Sequence, residues 1–273
     1  MTLRPDPGTW ELRGAADAPS LLLIPPLGRD RTAWAGQAAT LEGHFQCILF
    51  DPRGTGQSRR RGGYSTTTMA DDARAVLDAA GIERSNVAGW SLGAAAAMVL
   101  AADSPDRARS LSLITPWART DFHLKVAFTI LRDLAARCSP TAAELATLWF
   151  ILSRTAVNDA GEALIGSAHD TVSSAGYPNV DALLGYLDAA IEHDVLERLP
   201  GITVPTLVVG GASDILIPAE HAREVAAAIP AATLAVLEGD GATHALPAEM
   251  PAELNRLLIR FIQGVATAVP RPA

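Results

Sequence analysis

Cysteine is scarce in this chain, with two residues, Cys47 and Cys138, among 273. Two thiols far apart in sequence make neither a disulfide framework nor a metal site, and a reducing cytoplasm is the expected compartment. Positive charge is also in short supply: 22 Lys and Arg stand against 30 Asp and Glu, a formal net charge of −8. That balance argues against nucleic acid or an anionic membrane as partner. Long apolar runs are missing as well. Leu21-Leu22-Leu23-Ile24 stops at Pro25-Pro26 and is only strand-sized, so neither a signal segment nor a membrane span is expected. No internal repeat is apparent, and no cluster of metal-ligating residues is evident, so neither metal nor cofactor is expected.

What is present alternates. Apolar runs at Leu21 to Ile24, Cys47 to Phe50, Asn86 to Trp90, Ser110 to Thr115, Thr206 to Gly210 and Thr233 to Leu237 read as buried strands. Helix-length segments separate or follow them: Arg31 to Leu41, Thr68 to Ala80, Leu92 to Asp103, Pro218 to Ile229 and Ala248 to Gly264. This predicts an α/β fold whose mostly parallel sheet is covered on both faces. Thr9 to Arg13 adds an edge strand after a turn at Pro5-Asp6-Pro7-Gly8. Residues 117–199 break the alternation, with amphipathic spacing at Phe122 to Ala136, Thr141 to Thr155 and Val180 to Leu196 and no convincing strand. The expectation is a core of residues 1–116 and 200–273 with a helical cap, 117–199, over the ligand-binding edge of the sheet.

Chemistry enters at Val87-Ala88-Gly89-Trp90-Ser91-Leu92-Gly93-Ala94, an apolar strand ending in Gly-x-Ser-x-Gly and passing into an alanine-rich helix. This pattern makes a nucleophile elbow, in which a tight strand-to-helix turn projects Ser91 Oγ and the glycines admit neighbouring chains. A base and an acid are then required in the order Ser, Asp or Glu, His. Asp214 follows the strand at Leu207-Val208-Val209, and His244 lies on the glycine-rich loop after the last strand. His244 would exchange the Ser91 proton while Asp214 orients the imidazole. Asp240, on the histidine's own loop, is the rival carboxylate, with Asp51 and Asp121 behind it. The backbone N–H groups of Leu92 and Leu27 are the candidate oxyanion hole, with Gly28 letting the early loop approach.

With those residues placed, the chain from Leu21 to Gly264 resembles the α/β-hydrolase superfamily. Asp51-Pro52-Arg53-Gly54-Thr55-Gly56-Gln57-Ser58 is similar to a turn of that family whose role is mainly structural. Gly89-Trp90-Ser91-Leu92-Gly93 resembles the elbow of pimeloyl-acyl-carrier-protein methyl esterases, and Thr243-His244-Ala245-Leu246-Pro247 the histidine loop of anthracycline methyl esterases. Enol-lactonases share the layout. Pro25-Pro26 departs from the family's frequent His-Gly, and Gly93-Ala94 from its Gly-Gly. A serine in the nucleophile slot argues against the epoxide hydrolases and haloalkane dehalogenases, which use a carboxylate there.

The resemblance implies a cofactor-independent serine hydrolase acting on an ester, thioester or lactone, the acyl group arriving free or on a carrier protein. The alternative keeps the fold and gives carbon-carbon hydrolysis, cyclase or lyase chemistry, or ligand binding. Trp117, Phe122 and Trp149 are the candidate substrate-binding residues, with Phe128 and Phe150 as further aromatics able to line a pocket or simply fill core. Arg59-Arg60-Arg61 reads as a solvated loop in preference to a carrier-protein contact, and Arg29 as part of a helix start in preference to a carboxylate site. Oligomeric state is not encoded in these patterns.

Overall fold

The structure is a computed structural model that describes residues 9–58 and 61–268. The turn at Pro5 to Gly8 and the Arg59-Arg60 pair therefore lie outside the described residues. Seven strands form one sheet: β1 (Trp10–Arg13), β2 (Ser20–Ile24), β3 (Gln46–Phe50), β4 (Ser85–Trp90), β5 (Ala108–Ile114), β6 (Thr206–Gly211) and β7 (Ala232–Leu237). Their order is β1-β3-β2-β4-β5-β6-β7, with only β1 antiparallel to its neighbour. After the edge strand β1, the parallel run starts near the middle at β2, steps outward to β3, then returns to β4 and builds the other half. That reversal puts the C-terminal ends of β2 and β4 side by side, where open parallel sheets bind ligands.

Period-two alternation along β2 divides the core. Leu21 and Leu23 pack with Trp34, Leu41, Leu254 and Leu258 on the face covered by α1 (Ala35–Leu41) and α11 (Pro251–Ala268). Leu22 and Ile24 face α2 (Thr66–Ala79), α3 (Leu92–Asp103) and α9 (Ala219–Ala228). Ser65 caps α2 in a reciprocal capping box with Thr68. The helix expected from Ala248 is divided, because Met250 leaves the helical conformation and separates α10 (Leu246–Glu249) from α11.

Between β5 and β6 lie five helices: α4 (Phe122–Arg137), α5 (Pro140–Ile151), α6 (Arg154–Ala160), α7 (Glu162–Ser173) and α8 (Val180–Ile191). The segment read as one helix from Thr141 to Thr155 breaks at Leu152, and Ser153 restarts the chain as the cap of α6 by accepting from Ala156 N. Phe128, Leu131, Tyr186 and Leu187 of α4 and α8 belong to the same buried cluster as Leu22 and Ile24, so this insertion shares the core. Behind it, His193 donates through Nε2 to Trp117 O and accepts at Nδ1 from Thr66 Oγ1, both at 3.2 Å. Burial pushes its pKa down to about 4. No helix among the described residues is long and apolar enough to cross a membrane.

Candidate active site

Ser91 follows β4 and caps α3 with φ 57° and ψ −121°, a left-handed conformation rare outside glycine. Backbone bonds hold it there: Ser91 N–H donates to Ile114 O at 2.9 Å, and its carbonyl accepts from Ala94 N at 2.8 Å. A Cβ added to Gly93 would overlap Ile24 O and come within 2.5 Å of Pro25 O, while one on Gly89 would overlap Gly93 O. Both motif glycines are thus demanded by the crowding of β2, β4 and the start of α3.

Asp214 comes from the turn after β6. One of its oxygens, Oδ1, accepts from Leu216 N at 2.9 Å and Ile217 N at 2.8 Å, which leaves Oδ2 for His244 Nδ1 at 2.8 Å. His244 Nε2 lies 2.8 Å from Ser91 Oγ. A carboxylate only accepts, so Nδ1 carries the imidazole proton and Nε2 is free to accept from the Ser91 hydroxyl. All three side chains are buried. The rival carboxylates are elsewhere: Asp240 borders a separate surface groove, Asp51 binds Arg31 and Gln57 N, and Asp121 caps α4.

Two supports were not singled out in the sequence. Trp90 donates from Nε1 to His244 O at 3.0 Å. Glu249 accepts from Thr243 Oγ1 at 2.6 Å and Ser153 N at 2.9 Å, and Ala245 N donates to Ile151 O at 3.1 Å. The histidine loop is therefore tied to the α5–α6 turn. A tryptophan inside the elbow motif was a visible signal. Glu249 gave none, because its partner Ser153 is 96 positions away.

Leu92 N is the first amide of α3, and Leu27 N follows β2; neither is hydrogen-bonded to another group among the described residues. Helix-initial amides have no partner within the helix and suit a developing negative charge. Gly28 contributes chiefly by its backbone, with φ at +65°, and a Cβ there would press on Leu183 Cδ1 at 3.3 Å.

Above Ser91 is a cavity of about 80 Å³, lined by Pro26 and Leu27 from the loop, Trp90 and His244, and apolar residues of α4, α5 and α8. The expected aromatics do not line it. Trp117 is 0% exposed and packs against Phe128 and His193, Phe122 is 80% exposed at the first turn of α4, and Trp149 is 62% exposed and borders the groove beside Asp240. Phe150 borders that groove too, and only Phe128 of the five reaches the cavity. The reason is helix phase. Ala143, Thr147 and Ile151 share one face of α5, and Trp149, two positions beyond Thr147, is turned about 200° away. No group of three or more His, Cys, Asp or Glu gathers as a metal site among the described residues.

Residues 19–140 match the alpha/beta hydrolase fold family model. A protein of Azorhizobium caulinodans, provisionally named carbamate hydrolase RutD, is 33% identical over 253 residues, covering 92% of this chain and 93% of that protein. One of the same name from Variovorax paradoxus is 31% identical over 96% of this chain and 98% of its own. Among solved structures, a hydrolase from Pseudomonas aeruginosa superposes with a TM-score of 0.82 at 26% identity, covering 93% of each chain. The enol-lactonase of Burkholderia xenovorans, at 24% identity and TM-score 0.83 over 93% of this chain and 96% of that one, shares the fold.

Proposed function

This chain belongs to the α/β-hydrolase superfamily and is an enzyme of that fold, and from that premise we propose that it is a serine hydrolase cleaving short carboxylic esters, thioesters or lactones. The observation that carries the reading is the unbroken relay from Ser91 Oγ through His244 to Asp214, 2.8 Å at each step, at the floor of an apolar cavity. Ser91 Oγ attacks the acyl carbonyl as its proton passes to His244 Nε2, and Asp214 stabilises the imidazolium so formed. The oxyanion of the tetrahedral intermediate is held by the Leu27 and Leu92 N–H groups. Collapse expels the alcohol or thiol, which takes the proton back from His244. A water then attacks the acyl-Ser91 ester while His244 accepts its proton, and as the second tetrahedral intermediate collapses His244 returns that proton to Ser91 Oγ and a carboxylic acid leaves.

The helices of residues 117–199 serve in this reading as a cap whose side chains choose the acyl group. The small cavity and the name of the Azorhizobium relative support a second, narrower reading in which that group is carbamoyl. The methyl-esterase resemblances rest on the two motifs Gly89 to Gly93 and Thr243 to Pro247 alone, and support including methyl esters, free or carrier-bound, in any screen.

Ser91→Ala tests the mechanism. Turnover of p-nitrophenyl acetate should fall by roughly a thousandfold or more, with loss of labelling by a fluorophosphonate probe. Undiminished turnover in that variant would falsify the serine mechanism, and stoichiometric binding without turnover by the native enzyme would favour a receptor or cyclase.

A further inference from the structure

Among the described residues one cation, Arg29, faces the cavity. Arg29 stands at the helix start expected of it, one residue before Asp30, which caps the turn beginning at Arg31, and it also lines the cavity that Ser91 opens into, while Arg31 pairs with Asp51. A lone guanidinium in an apolar pocket is a carboxylate receptor, because its planar fork fits two oxygens. Arg29 is not alone. Its Nη2 is paired with Glu144 of α5, which is only 4% exposed. Tyr177 stands beside the pair, and burial, then Glu144, pushes its hydroxyl up to about 12, so it stays neutral. The remaining lining is apolar apart from Thr147, Ser91 and His244.

Resting on the serine-hydrolase reading, we infer that Arg29 and Glu144 form a charge-balanced wall restricting the site to short uncharged acyl groups, and that Glu144 keeps Arg29 from acting as a carboxylate receptor. An incoming carboxylate meets a cation whose charge is already cancelled by an anion directly behind it. Displacing Glu144 would leave that buried carboxylate without its cation, with only the Tyr177 hydroxyl as a side-chain partner, which is costlier than the pairing gained. A neutral oxygen meets no such obstacle. A guanidinium has five N–H donors, and the nitrogens not committed to Glu144 can serve a carbonyl or ether oxygen while the pair stays intact.

The test compares methyl butyrate with monomethyl succinate, which differ in whether the four-carbon acyl chain ends in methyl or carboxylate, each followed by pH-stat. The native enzyme should favour methyl butyrate in kcat/KM by about tenfold or more. Glu144→Gln keeps the shape and uncovers the cation, and should shift that ratio toward monomethyl succinate by about tenfold. Equal or preferred hydrolysis of monomethyl succinate by the native enzyme, or an unchanged ratio in the variant, would overturn the inference. Should the variant not fold, inhibition of the native enzyme decides: butylboronic acid should bind Ser91 about tenfold more tightly than 3-carboxypropylboronic acid. Equal inhibition sinks the charge-balanced wall and leaves the serine mechanism standing. Inhibition by neither, or ester turnover retained in Ser91→Ala, overturns both.

Discussion

Gly93 has no conformational peculiarity of its own, yet it sits where the carbonyls of Ile24 and Pro25 leave no room for a methyl group. Gly93→Ala should therefore push the loop that presents Leu27 away from Ser91. The expected result is a loss of roughly 1–3 kcal/mol in urea denaturation, together with lower ester turnover. Space at this position is a property of the folded backbone, but the need for it was legible, since a serine on a sharp turn between a strand and a helix implies crowding on both flanks. Ser91, Asp214 and His244 were legible for a related reason. Ser91 directly follows an apolar run, Asp214 and His244 follow one after a short turn and a glycine-rich loop, and strand ends converge on one edge of a parallel sheet. The cavity wall was not. Leu131, Thr147, Leu183 and Leu187 look like ordinary helix residues, and the conspicuous aromatics Phe122 and Trp149 turn outward.

Elements differ in how firmly they are fastened, and one of the fastenings titrates. His193 lies between the end of α8, Trp117 and Thr66 at the start of α2, neutral and almost wholly buried. Its pKa of about 4 lies below the ordinary 6.5, so between those values the unfolded chain binds more protons than the folded one. Stability is therefore complete above about pH 6.5 and declines as pH falls toward 4, with a slope approaching about 1.4 kcal/mol per pH unit from this group. Thermal unfolding followed across that window should show the decline, and His193→Gln should flatten it. A slope identical in the variant would assign the acid sensitivity to other groups. The strands and the flanking helices emerged from periodicity with small boundary errors. In the insertion, α6 and α7 escaped notice, and both bury almost nothing, α6 no residue and α7 only Ala168.

For the molecule as a whole, the insertion and the sheet share one buried cluster running from Leu22 and Val87 through Phe128 to Tyr186 and Leu187. Calorimetric unfolding should accordingly show one transition with matching van't Hoff and calorimetric enthalpies. Two transitions would mean that residues 117–199 form an independent unit. Hydrogen exchange should still grade the insertion, with α6 and α7 exchanging faster than α4 and α8. The residues around the cavity have two origins. Ser91, His244, Leu27 and Trp90 come from the ends of strands, where backbone bonds and glycine crowding fix them. Phe128, Leu131, Thr147, Leu183 and Leu187 come from the inserted helices and make no bond to that machinery. In the serine-hydrolase reading, a combinatorial library confined to those five positions explores new acyl groups while leaving Ser91, His244 and Asp214 with their own hydrogen bonds.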